Sequence, residues 1–133
     1  VIIGGFHQFF SVWVFGTVIV IVGLPDAAVR ESRDRVTTAL HNSGYKIPMG
    51  RTTINLAPAD VKKEGPSFDL PIALGLLAAS EQIETDQLDN FIAVGELALT
   101  GAVRSCKGIL PIAIRAHADG KTGILVPAEN AAE

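Results

Sequence analysis

Residues 62–80 read "KKEGPSFDLPIALGLLAAS": a polar loop, a Gly-Pro corner carrying a serine, then a long apolar run. From Leu70 to Ala79 the run is hydrophobic nearly all round, the pattern of a helix buried on every side. Pro71 suits the first turn of such a helix, where its missing N–H costs no hydrogen bond. That places Asp69 at the N-cap, with its carboxylate at the positive end of the helix dipole. Were Ser67 the cap, Pro71 would fall where the first intrahelical N–H is needed. Ser67 is therefore expected in the preceding turn. A nucleophilic Ser67 needs a base within hydrogen-bond reach, and Lys62 and Lys63 read as solvated loop charges.

Strands and helices alternate outward from this helix. Upstream, Pro25 and Asp26 open a helix whose Val29, Val36 and Leu40 share one stripe, with Ala39 beside them. Arg30, Glu31, Arg33, Asp34 and Arg35 fill its polar side, and Ser43-Gly44 is its stop. Residues 53–56 alternate as a strand that Pro58 ends. Downstream, "FIAVGELALTGAVR" (91–104) reads as a hairpin-like strand pair with bends at Gly95 and Gly101. Gly108 to Ala118 reads as a third helix, begun near Pro111, and "TGILVP" (122–127) as a last buried strand. The expected fold class is α/β: a two-layer α+β arrangement with a mixed sheet and three main helices.

The first 24 residues, "VIIGGFHQFFSVWVFGTVIVIVGL", contain no charged side chain. Roughly 20 apolar residues suffice to cross a bilayer. Polar His7, Gln8 and Ser11 and several glycines dilute this stretch, and no positive n-region or cleavage signal accompanies it. Its β-branched and aromatic content suits buried strands, with a turn at Gly16-Thr17. No membrane association is expected. The missing initiating Met suggests a fragment, or segments joined across other residues.

The chain has 133 residues, net charge −3, 48% hydrophobic and 19% charged residues, the size of one domain with one core. This charge creates no field that would draw nucleic acid by itself. Arg30, Arg33, Arg51, Lys62 and Lys63 could form a basic patch, but Glu31, Asp34 and Glu64 interleave with them. The lone Cys106 excludes an internal disulfide and fits a reducing compartment. His7, His41 and His117 are scattered, without acidic or cysteine partners at ligand spacing, so no metal site is expected. "DGKTG" (119–123) is not a phosphate loop. Arg115 stands where the pattern requires glycine, and the segment precedes a strand instead of opening a helix. No cofactor site is expected in this chain.

Three stretches, "IVGLPDAAVRESRDRVTTALHNSGY", "INLAPADVKKEGPSFDLPIALGLLAAS" and "VGELALTGAVRSCKGILPIAIRAHADG", together resemble one family. It is the N-terminal domain of magnesium-chelatase-related AAA+ ATPases of the competence-associated ComM type. "ILVPAENAAE" extends the likeness to the end, while residues 1–20 are less like the family. The resemblance implies a Lon-protease-like α/β fold, related to the second domain of a small-subunit ribosomal protein. Residues 1–133 would then be a single N-terminal domain of a larger protein. It also implies a motor module elsewhere, using ATP and Mg, assembling as a ring with neighbouring subunits in the cytoplasm. Family members are described as magnesium chelatases or ATP-dependent proteases, and better-studied ones resemble DNA branch-migration helicases of natural transformation.

The Lon likeness gives Ser67 a second meaning. It stands where Lon-type proteases place their catalytic serine, paired with a lysine on the helix after the "GELALTG"-like hairpin. In that register the lysine position is Leu110; Lys107 lies about a turn earlier, before Gly108. A Ser–Lys dyad needs a buried amine touching the serine oxygen, which leucine cannot supply. Phe68-Asp69 also replaces the small residues of the protease pattern. The resemblance thus implies a non-catalytic domain with a vestigial Ser67. The alternative is a Ser–Lys peptidase using Ser67 and Lys107. Contacts with the motor, neighbouring subunits or DNA are expected around Leu24, Pro25, Asp26, Arg30, Arg33, Lys62, Lys63 and the Gly65–Leu70 corner.

Overall fold

A computed structural model describes residues 2–5, 8–14, 18–57, 59–60 and 63–133, the first two segments as backbone. The described part of the charge-free start contains three strands: β1 (Ile2–Gly5), β2 (Gln8–Val14) and β3 (Ile19–Val22). With β4 (Thr52–Ala57) they form one mixed sheet in the order β1-β2-β4-β3. β2 runs antiparallel to both β1 and β4, whereas β3 and β4 are parallel. The expected Gly16-Thr17 turn and Pro58 lie outside the described residues. Among the described residues no helix is long and apolar enough to cross a membrane.

Parallel neighbours need a crossover, and α1 (Ala27–Asn42) supplies it between β3 and β4. Its N-cap is Asp26, whose Oδ1 accepts from the Val29 N–H at 2.8 Å. Its end is a left-handed Gly44, after which the Tyr45 N–H returns to the Leu40 carbonyl at 3.0 Å. The predicted stripe is the buried one: Val29, Val36, Ala39 and Leu40 face the core. There they meet Ile54 and Leu56 of β4 and Ile72, Leu76 and Leu77 of α2 (Asp69–Ala79). Gly23 lets this layer close: its φ is 101°, and a Cβ there would run into the Leu56 carbonyl.

The strand pair expected over 91–104 is divided in the structure. β5 (Phe91–Ala93) pairs in parallel with the last strand, β8 (Gly123–Leu125). Only β6 (Glu96–Leu97) and β7 (Val103–Arg104) make the antiparallel hairpin, which turns at Gly101. Gly95 causes the split. Its N–H donates to the Ser67 carbonyl at 3.0 Å, and its own carbonyl accepts from the Leu70 N–H at 2.9 Å. Backbone groups that would have continued a ladder serve the entrance of α2 instead. α3 (Ile109–Ala118) follows a left-handed Gly108 and has Pro111 in its first turn. Among the described residues three α-helices and these strands make the α/β fold that the sequence predicted.

Candidate functional site

The Gly65–Leu70 corner is built differently from the simple cap expected. Gly65 enters it at φ 81°, and Pro66–Phe68 make a tight 3-10 turn that runs into α2. That turn and the Gly95 carbonyl satisfy the first N–H groups, so no side chain is needed as a cap. The carboxylate of Asp69 is therefore freed from the capping role assigned to it. It is fully buried, accepting from Arg35 Nε at 2.8 Å and Nη2 at 3.1 Å, and from the Leu97 N–H at 3.1 Å. It still lies in the first turn of α2, where the helix dipole favours negative charge.

Arg35 was expected on the solvated side of α1, yet it turns inward. Its Nη2 also donates to the Ala28 carbonyl and to Ser32 Oγ, both at 3.0 Å. The hydrogen bond to Asp69 raises the guanidinium pKa above its ordinary value despite the opposing cost of burial, with Glu96 and Glu31 adding to the pull. The pair locks α1, α2 and the β6 strand together. Its signal in the sequence was a lone acid at the head of an otherwise apolar helix: a buried carboxylate requires a cation.

Lys63 departs from its expected role as well. Instead of a solvated charge or contact residue it is fully buried and partnered within the fold. A bridge between Pro25 and Lys63 holds its backbone, and the Asp26 N–H donates to its carbonyl at 3.2 Å. Asp26 is similarly committed, because its Oδ2 accepts from the Gly65 N–H at 3.1 Å. Of the expected contact residues, Arg30 and Arg33 stand exposed, while Lys62 lies outside the described residues. The two arginines border a groove of about 310 Å³ with residues 18–21.

Ser67 is half-buried in the 3-10 turn, and its carbonyl holds Gly95. Lys107 is exposed in the segment before α3, and no hydrogen bond among the described residues joins it to Ser67. Leu110 sits in the first turn of α3, 54% exposed. The segment bearing Lys107 is held by a contact that sequence reasoning missed. Asn130 Oδ1 accepts from the Cys106 N–H, and Asn130 Nδ2 donates to the Cys106 carbonyl, both at 2.9 Å. Burial pushes the Cys106 thiol above its ordinary pKa.

The residues of "DGKTG" do not fit a nucleotide phosphate. Gly120 closes α3, the Lys121 N–H returns to the Ala116 carbonyl at 3.0 Å, and Lys121 Nζ donates to the Asp89 carbonyl at 2.7 Å. Among the described residues no three His, Cys, Asp or Glu side chains gather as metal ligands do.

The profile of the family "Subunit ChlI of Mg-chelatase" matches residues 15–130. The chain belongs to this family. It is 54% identical over 112 residues to the uncharacterized protein YifB of Salmonella typhimurium, covering 84% of the chain and 22% of that relative. The competence protein ComM of Haemophilus influenzae is 50% identical over 113 residues, with 85% and 22% covered. Lon protease 2 of Bacillus subtilis is more distant, 31% identical over 100 residues, with 74% and 17% covered. The chain thus spans about a fifth of the length of the YifB and ComM relatives. The residues that the family profile matches include every element that builds the Gly65–Leu70 corner.

Proposed function

We propose that this member of the Mg-chelatase subunit family is a non-catalytic, Lon-like scaffold of an ATP-driven ring machine. In this reading the chain is the N-terminal domain of a larger cytoplasmic AAA+ protein, whose motor module holds ATP and Mg. The domain packs against its own motor and neighbouring subunits and guides the substrate. Similarity to competence protein ComM supports DNA as that substrate, with branch migration as the parent's activity. The observation that carries the non-catalytic reading is Leu110: a hydrocarbon occupies the place where a Ser–Lys hydrolase needs its amine.

The similarity to Lon protease 2 favours one alternative, a Ser–Lys peptidase. The amine this alternative takes is Lys107, which is exposed, whereas a dyad lysine must be buried against the serine oxygen. A fluorophosphonate probe applied to the full protein separates the readings. No labelling is expected at Ser67; labelling abolished by Ser67→Ala overturns the scaffold reading. In parallel, Ser67→Ala leaves ATP-driven branch migration by the full protein unchanged. Failure of the unmodified protein to move a DNA junction removes the DNA part of the proposal.

A further inference from the structure

β3 ends the four-stranded sheet, and among the described residues nothing pairs with its outer side. The register decides which groups are left over. The Thr52 N–H donates to the Val18 carbonyl at 2.8 Å, and Ile19 stands opposite Thr52. A parallel ladder of that register turns the backbone groups of residues 18, 20 and 22 towards β4, and those of Ile19 and Ile21 outward. The 310 Å³ groove runs along this side, lined by the four successive residues Val18 to Ile21 and by Arg30 and Arg33. Side chains alternate between the faces of a strand, so only its edge presents four in a row to one groove.

Natural sheets guard such edges with lysine, proline or a bulge. "IVIV" contains no such guard. Val18, Val22 and Leu24 are 55%, 40% and 66% exposed along and beyond it. Leu24 is held at φ 53°, a conformation that costs a branched side chain energy and that clusters where function requires it. Above the groove, Arg30 makes no ion pair among the described residues, and Arg33 meets only the exposed Asp34 at 3.2 Å.

We infer that β3 is a docking edge that accepts an extended, carboxylate-bearing segment of a partner polypeptide as an added strand. The segment's backbone pairs with Ile19 and Ile21, its apolar residues cover Val18, Val22 and Leu24, and its carboxylates meet Arg30 and Arg33. Charge decides for a peptide over nucleic acid. Glu31 and Asp34 are 72% and 78% exposed on the same helix, so a continuous row of phosphates would be repelled more strongly than carboxylates spaced along a strand to meet Arg30 and Arg33. The inference holds whatever substrate the parent motor acts on.

The test uses the full protein and three fluorescent probes: an octapeptide alternating valine and glutamate, its valine–lysine counterpart, and a 20-nucleotide single-stranded DNA. Anisotropy gives binding, and hydrogen exchange read residue by residue gives its place. Binding of the glutamate peptide with slowed exchange at the Ile19 and Ile21 amides is expected, as is failure of the lysine peptide. Arg30→Ala with Arg33→Ala should weaken that binding about five- to tenfold, the size of two exposed ion pairs. Equal binding of both peptides, binding without protection of those amides, or no binding overturns the inference. DNA that protects the same amides and loses affinity in the double variant overturns it too, in favour of a polyanion site.

Discussion

Asp69 and Arg35 illustrate how much a single residue depends on partners distant in sequence. Read locally, Asp69 is a cap and Arg35 a surface charge; in the fold, 34 positions apart, they form one buried pair. The local reading failed because the 3-10 turn carries the chain into α2 with Phe68 at the cap position and Asp69 already inside the helix, so its carboxylate is left to meet Arg35. Removing one member of a buried pair strands the other, which costs about 3–5 kcal/mol. Arg35→Met leaves a fully buried anion with only the Leu97 N–H, and should lose stability of that order in urea unfolding. Asp69→Asn should cost less, because its amide oxygen still accepts from Leu97 and Arg35 is close enough to the surface to reach water. Equal losses would show that the carboxylate is not the buried liability described. Cys106 offers a test by pH. Its thiol pKa is raised in the folded state, so the fold favours the protonated form. That contribution is fully present below the thiol's unfolded value and is lost as pH climbs through the higher folded one. The melting temperature should therefore fall more steeply in alkaline buffer than that of Cys106→Ser, and Cys106 should alkylate more slowly than free cysteine at pH 8.

At the scale of elements, the three helices were legible because caps, stops and a 3.6-residue stripe are local signals. Asp26, Gly44 and Pro111 all stand where those rules place them. Strand partners were not legible. "FIAVGELALTGAVR" alternates like one hairpin, yet β5 leaves it for β8, some 30 residues on, and no local pattern encodes that choice. Gly95 is the pivot, with a backbone committed to the α2 entrance and no room for a side chain: a Cβ there would lie 2.8 Å from Val103 Cγ1 and 3.4 Å from Leu70 Cβ. Gly95→Ala should destabilise by about 1–3 kcal/mol through overpacking. Restoring space with Val103→Ala in the same chain should recover part of that loss, and no recovery would mean that the strain lies in the backbone. Asp26→Ala removes both the α1 cap and the tie to Gly65, and should cost about 2 kcal/mol, twice an ordinary cap. A loss no larger than a cap alone would show that the Gly65 contact contributes nothing.

For the whole molecule, the family and the α/β class could be read from motifs spread along the chain. The uneven distribution of its core could not. The main cluster joins α1, α2, β4 and Leu97, whereas Ile92, Val94, Ile109 and Ala116 lie outside it in the layer of β5, β8 and α3. α3 buries only Ile109 and Ala116, leaving Leu110 and Ile114 54% and 63% exposed at helical spacing. A helix held by two buried side chains gains far less from leaving water than α2, which buries seven residues. Local opening follows the density of such contacts. Amides of α3 and β8 should therefore exchange through a smaller opening, and lose protection at lower urea, than those of α2 and β4. Besides the β5–β8 ladder, the Asn130 clasp on Cys106 ties down the segment that leads into α3. Asn130→Ala should consequently speed exchange in α3 while leaving α2 unchanged. Uniform protection across both layers, or equal acceleration in α2, would mean that the chain opens as one unit and that the thin packing of α3 is not its weak point.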